Sequence, residues 1–560
     1  MTPKPRSPEI ICAESITLNV LLHENPKSPR QKRARGYISA GSRYELPFST
    51  ERDLVETLSF LSKTIDGSDY IPAVCVEQNS SGNSLEVIIA VNKSNPKDGN
   101  DILGKVKTGF EEIFEILHTA DYEDRENSRD IEAKVRNSII EMCSARILDR
   151  LRLVPNKHKK ARDLTDLKER FDKARRGIKR IERQKLQNAN LVGTSAQALS
   201  KLKDVMQLIT KWSKYQVTNS LNEFLAGIWR LNKVKNLSKL LELIPTGKFG
   251  VFQDSDVATS LFNMISKLSR YYRNAKVLYL IAKKFPLVRN MQVRLADLPP
   301  EAFDRPDRSG YVPNIEDAAS LLGIINGRRY QSHEILRYMN LAKDEKPSQR
   351  FSKQTRQILK ESKIHSEIQL IAYCEIKSTP KLFPRVIASS KDACYLCNAF
   401  IKMHGRMHTS RTHGKLYTGW RLPALWQFKD LQRRFNQALL ERARKTIAAR
   451  MKDSHAYLHP PPPCESTLLL PLSILTATAS SLELHIDVER VSDSASTTKE
   501  FQYTIERVES ALPSGVPDEP LVIDPSRLLD ETTYGLSRDG SCYISFQDTT
   551  LRITSCPCQG

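Results

Sequence analysis

Lys363-Ile364-His365-Ser366-Glu367-Ile368-Gln369-Leu370 and, farther on, Ala393-Cys394-Tyr395-Leu396-Cys397 decide how this chain is read. The first stretch puts His-x-Glu at the start of one helix. The second puts Cys-x-x-Cys at the start of another. Residues i and i+3 share a helical face, so both sulfurs reach one ion. A helix N-terminus, with its unpaired N–H groups and positive dipole end, favours thiolate over thiol. His365, Cys394 and Cys397 together make three zinc ligands and leave a fourth position open, the arrangement of a catalytic rather than a structural zinc. Glu367 is placed to move protons without binding the metal. Between the motifs, Arg385-Val386-Ile387-Ala388-Ser389-Ser390 reads as a short buried strand. The order helix, strand, helix suits a right-handed crossover.

Neither motif decides anything alone. A lone Cys-x-x-Cys also fits a redox pair, half of a zinc ribbon, or two core thiols. Only 26 residues lie between Glu367 and Cys394, and that proximity gives the combination its weight. His404, His408 and His413 follow closely. One of them is a candidate fourth ligand that would close the site. Otherwise they are loop residues near its mouth or contacts to phosphate.

The rest of the chain sets the context. Its 560 residues allow several cores, and two to four domains are expected. With 86 Lys+Arg against 65 Asp+Glu, the formal charge is +21, which favours acidic partners, nucleic acid first. Ten Cys is a low density, the N-terminus shows no apolar leader, and Leu468–Ala477 is too short to span a bilayer. A reducing compartment, cytoplasm or nucleus, is the expectation, with no transmembrane segment.

Residues 1–50 read as a basic, loosely ordered arm, with Pro-broken Asn25–Arg35 as its most cationic part. Within residues 51–100, Leu54, Leu58 and Leu61 mark a helix. Ile71–Glu77 and Leu85–Asn92, joined by Gln78-Asn79-Ser80-Ser81-Gly82-Asn83-Ser84, mark a β-hairpin. Residues 101–345 read as basic and helical. Leu164, Leu167, Phe171, Ala174, Ile178 and Ile181 form one apolar seam, and residues 151–185 carry 14 basic against 5 acidic side chains. That helix is either a bundle element with a solvated basic face, a nucleic-acid contact, or a self-association seam that makes a homo-oligomer. Trp229, Tyr271 and Tyr272 read as core. Residues 346–455 hold the two site motifs. Beyond them, residues 456–560 read as a Pro-linker (His459-Pro460-Pro461-Pro462-Pro463) and a β-rich or partly disordered tail, with Cys556 and Cys558 as spectators.

His-Ser-Glu-Ile-Gln-Leu at 365–370 and Ser-Ser-Lys-Asp-Ala-Cys-Tyr-Leu-Cys at 389–397 resemble the cytidine-deaminase-like superfamily. In detail they are similar to a branch found mainly in fungi and bacterial toxin systems, of nucleic-acid or nucleotide deaminases. The likeness covers about 35 residues. Two positions depart from the commonest pattern: Ser366 stands where Ala is usual, and Ala393 where Pro is usual.

The resemblance implies an α/β fold, a three-layer mixed sheet flanked by helices. It implies that residues 71–92 are the missing hairpin of that sheet, with a large all-helical insertion between the halves and the small β-rich tail outside it. It makes His365, Cys394 and Cys397 the Zn2+ ligands and Glu367 the proton carrier. It nominates Asn92 for binding substrate sugar or base. Tyr395, Tyr417 and Trp420 are aromatic candidates for stacking a base, or core. The implied reaction is hydrolytic loss of ammonia from C4 of cytosine or C6 of adenine, in nucleic acid or a nucleotide. The competing expectation is a catalytically inactive, zinc-stabilised helical protein that binds nucleic acid or acts as a scaffold.

Overall fold

The structure is a computed structural model. It describes residues 6–22, 30–31, 44–122 except 66 and 68, 127–154, 163–183, 189–215, 218–244, 255–337 except 326 and 330, 346–377, 382–452, 503–507, 533–536, 542–546 and 549–555. The chain is mixed α/β and mostly helical, with one small mixed sheet in the unit Met1–Leu469.

The hairpin forms as its alternation predicts. β1 (Pro72–Gln78) and β2 (Leu85–Val91) pair antiparallel from Pro72↔Val91 to Gln78↔Leu85. In the turn, Asn79 Oδ1 accepts from the N–H groups of Asn83 and Ser84, and Gly82 takes a left-handed φ of 72°. β3 (Met291–Leu295) runs parallel to β2, and β4 (Ile387–Ser389) antiparallel to β1, giving the order β3-β2-β1-β4. The hairpin at 72–91 and the strand just before Cys394 therefore share one sheet.

Successive side chains on a strand face opposite ways. Here Val74, Val76, Val87, Ile89 and Val91 enter one core, and Ala73, Cys75, Ile88, Ala90 and Ile387 enter the other. Both faces are covered, so β1 and β2 are buried almost throughout.

The first core holds α2 (Phe48–Leu61) and a block of helices. The block runs from Asn100 to Arg289 as helices at Asn100–His118, Asn127–Met142, Ser144–Leu151, Leu164–Arg183, Ala189–Tyr215, Thr218–Asn232, Leu237–Glu242, Ser255–Lys284 and Pro286–Arg289. The seam of the basic helix at Leu164–Arg183 is spent inside this block: Leu167, Phe171, Ala174 and Ile178 are buried among the neighbouring helices. The apolar seam is thus packed inside the chain, as a bundle element would be. Its charges are partly paired along the helix, Lys173 with Glu169, and Arg175 and Arg176 with Asp172. Tyr271 is core, as expected, and Trp229 stacks on Tyr272 at 4.7 Å.

Two elements depart from expectation. The helical region does not run to residue 345. It gives way to β3, a five-residue strand with alternating exposed positions, too short to stand out beside long helices. The loose arm expected over residues 1–50 fails for α1 (Pro8–Leu21). Ser7 caps this helix, Pro8 opens it, and Ile16, Leu18 and Leu21 are fully buried. Burial of such side chains contributes about 1.5–3 kcal/mol each, which outweighs the basic, Pro-broken sequence that follows.

The second core is built on α1 and on four later helices: Pro347–Glu361, Ser366–Ile376, Tyr395–His404 and Lys429–Lys452. β4 is tied to α2 by a buried pair. Arg385 Nε donates to Glu51 Oε2 at 2.6 Å, and Glu51 Oε1 accepts the backbone N–H groups of Arg385 and Val386.

The unit Leu470–Gly560 contains a four-stranded antiparallel sheet of Tyr503–Arg507, Thr533–Leu536, Cys542–Phe546 and Thr549–Ser555. The expected strand at Leu482–Val488, the Pro segment at 459–463, and Cys556 and Cys558 lie outside the described residues. So does most of the basic stretch 25–35. Among the described residues no helix is long and apolar enough to cross a membrane.

Candidate metal centre

His365 is the N-cap of the helix Ser366–Ile376. The two residues before it are clamped from both sides. Ile364 and Lys93 exchange backbone hydrogen bonds of 2.8 and 3.1 Å, and Lys363–Ile364 pairs in parallel with Trp420–Arg421. The imidazole makes no cap to its own helix. Asn92, just past the end of β2, supplies the acceptor instead: its Oδ1 takes the Ser366 N–H at 2.9 Å. Gln369 completes the junction, with Nε2 donating to the carbonyls of Val91 and Ile364. A helix start leaves N–H groups that need outside partners, and here the hairpin provides one.

Cys394 is the N-cap of the helix Tyr395–His404, and its own Sγ accepts the Cys397 N–H at 3.4 Å. The turn lacks Pro yet is braced. The Ala393 N–H donates to Arg411 O at 3.3 Å, and Ala393 O accepts from His413 N and from Thr412 Oγ1.

The two helix starts bring three donors together. His365 Nδ1 lies 3.7 Å from Cys394 Sγ and 3.5 Å from Cys397 Sγ. All three donor atoms fall within 4.8 Å of one another, and this is the potential metal-binding group found among the described residues. Bonds of about 2.0–2.3 Å around a tetrahedral zinc place N and S about 3.6 Å apart. The donor spacing fits that value, and the soft N/S2 set fits zinc chemically.

The three donors are electrostatically linked, and only Cys394 is driven toward its ligating form. Burial pushes the Cys394 thiol up, but its hydrogen-bonding neighbours Cys397 and His365 overcome this and hold it at about 5. Burial pulls His365 down, yet the adjacent Cys394 sulfur prevails and raises it. Cys397 is raised well above the usual thiol range by burial and by Cys394 beside it.

Glu367 is buried next to the donors. Its Oε2 is 3.5 Å from Cys397 Sγ and 3.4 Å from Ser366 Oγ, and its Oε1 accepts from Ser389 Oγ at 2.8 Å. Sequence reasoning missed Ser389. Only its place at the end of the strand before the Cys-x-x-Cys helix marked it.

Residues 364–424 match a deaminase family. The match is to the model of an OTT_1508_deam-like deaminase and covers only this short part of the chain. No curated protein and no solved structure matches the chain. The deaminase region contains His365, Glu367, Cys394 and Cys397, while Asn92 and the hairpin lie outside it.

The nominated aromatic residues are placed differently from one another. Tyr417 stands near the donors, its ring 6.5 Å from His365 and edge-on to His413 at 5.4 Å. Tyr395 has the Arg442 guanidinium over its ring at 3.9 Å, and burial pushes its hydroxyl up to about 12. Trp420 is fully buried, with Nε1 donating to Cys397 Sγ at 3.3 Å. An enclosed ring offers no face to a base, so the stacking role expected of Trp420 is corrected.

None of the downstream histidines joins the donor group. His404 Nε2 meets Glu375 Oε1 at 2.7 Å, His408 packs edge-on to Phe48, and His413 Nδ1 accepts the Lys415 N–H.

Proposed function

We propose that this chain is a zinc-dependent hydrolytic deaminase acting on cytosine or adenine in nucleic acid or a nucleotide. The observation that carries the reading is the convergence of His365, Cys394 and Cys397 with the Glu367 carboxylate against one of the sulfurs. His365 Nδ1 and the two sulfurs would hold the ion. Zinc there supplies Lewis acidity that brings a water pKa toward about 7. Glu367, oriented by Ser389, would be the proton carrier, delivering a proton to the ring nitrogen and then serving the departing amine. Tyr417 is the aromatic wall best placed for the base. Asn92 contributes first by capping the His365 helix. Contact with the substrate is a second use of its amide.

In this reading the sheet, α2 and the helices after residue 346 form a three-layer deaminase core, and the block Asn100–Arg289 is an insertion into it. Lys363 and Lys391 lie close to the ligand turns in sequence, and the backbone carbonyls of Arg411 and Lys415 bond to the Cys394 turn, an arrangement of cationic residues that suits a phosphate-bearing substrate. The likeness of the motifs to the fungal and toxin-type branch points the same way. Free cysteines at 12, 75, 143 and 374 suit a cytoplasmic or nuclear setting.

The test is a comparison of wild type with Glu367→Gln. The variant should keep its zinc, and nucleic acid from cells expressing it should lack the C-to-T or A-to-G changes that wild type produces. Equal change counts in the two samples would remove Glu367 from the mechanism.

A further inference from the structure

Trp420 joins the two halves of the ligand set. Its backbone is in register with Lys363, and that of Arg421 with Ile364, in the parallel pairing that leads directly into His365. Its indole reaches the other half, where Nε1 donates to Cys397 Sγ at 3.3 Å. The ring is completely buried and lies 5.2 Å from Phe435 of the helix Lys429–Lys452. One residue is thus bound by main chain to the strand that delivers the nitrogen donor and by side chain to a sulfur donor.

An indole N–H can only donate. The sulfur of Cys397 is the acceptor it has found. Such a bond fixes where the sulfur sits and withdraws electron density from it. Partners of this kind orient metal ligands and tune the metal they hold.

We propose that Trp420 is a positioning residue of the metal centre: it sets Cys397 relative to His365 and tempers the donor strength of the Cys397 sulfur. This rests on the reading that the three donors hold a metal.

Cobalt(II) is the probe, loaded into the metal-free full-length chain. Its sulfur-to-cobalt charge-transfer absorption reports thiolate donor strength without any need for substrate. Replacing the Trp420 indole by benzothiophene, through site-specific incorporation of benzothienylalanine, keeps the ring shape and removes the donor. The charge-transfer band should then move to lower energy. Trp420→Phe should also weaken cobalt binding, by about 10–100-fold. Phe435→Leu loosens the same packing while leaving the N–H in place, and should keep the wild-type band energy.

An unchanged band in the benzothiophene variant overturns the proposal even if Trp420→Phe fails to fold. So does an equal shift in Phe435→Leu, which would assign the effect to packing. Failure of the wild-type chain to bind cobalt is a different result, and it removes the metal reading itself.

Discussion

The two helix starts that carry the donors solve the same problem in opposite ways. Cys394 is donor and cap at once: its sulfur takes the N–H of Cys397, three residues on. His365 is a donor that does not cap, and the acceptor for its helix comes from Asn92, 274 residues away. The first start is a local device. The second exists only when the sheet is in place. The cap of one helix start therefore depends on tertiary structure, and that of the other on four consecutive residues.

The largest separation of these roles should come from Cys394→Ser. A serine is a good N-cap, so the helix Tyr395–His404 should persist while bound zinc is lost. Elemental analysis beside circular dichroism checks this, and retained stoichiometric zinc would show that Cys394 is not a ligand.

Asn92→Ala does the reverse. It keeps every ligand but strands the Ser366 N–H in a buried setting, at a cost of about 1–3 kcal/mol. Melting should occur at lower temperature, and zinc affinity should drop about 10–100-fold as His365 loses its support. An unchanged affinity would mean that the His365 turn holds without the hairpin.

A smaller effect is protonic. In the metal-free chain at pH 7, Cys394, with a pKa of about 5, is a thiolate, while the raised Cys397 keeps its proton and His365 is displaced toward its charged form. Zinc must expel the protons of the latter two. Affinity should therefore rise with pH and be lost as pH falls, and zinc added to weakly buffered protein should acidify it. A pH-independent affinity would contradict these charge states.

The smallest effect belongs to Ala393→Pro. It introduces the residue usual in the related pattern but deletes the N–H that Ala393 donates to Arg411 O. A net loss of about 1 kcal/mol is expected in urea unfolding. A gain would show that the rigidity of Pro outweighs the bridge.

The same contrast explains what the sequence disclosed. Cys394 and Cys397 are neighbours on one helix face, so their spacing is readable without a fold. The hairpin was readable because its strands alternate and its turn is rich in Asn, Ser and Gly. Its membership in the sheet of β4 needed the family resemblance to suggest it. The cap from Asn92 and the bond from Ser389 were not readable, since each depends on strands brought together from distant positions. Trp420 stood between two readings because an indole suits a stacking platform and a buried hydrogen-bond donor equally well, and only its enclosure distinguishes them. α1 and β3 were hidden by their surroundings, a basic stretch after one and long helices before the other.

The register Ala73↔Ser389 has a consequence for how the molecule is made. Chains leave the ribosome at about 5–20 residues per second. Strand β1 thus emerges on the order of 15–60 s before the strand that will cover its open side. During that interval the hairpin presents an unpaired, largely hydrophobic edge, the kind of surface that invites foreign strands. What the growing chain produces meanwhile is the helical block, whose core includes Val74, Val76, Val87 and Ile89. By closing over one face of the hairpin before its partner strand exists, the block acts during synthesis as a built-in escort for the unfinished sheet.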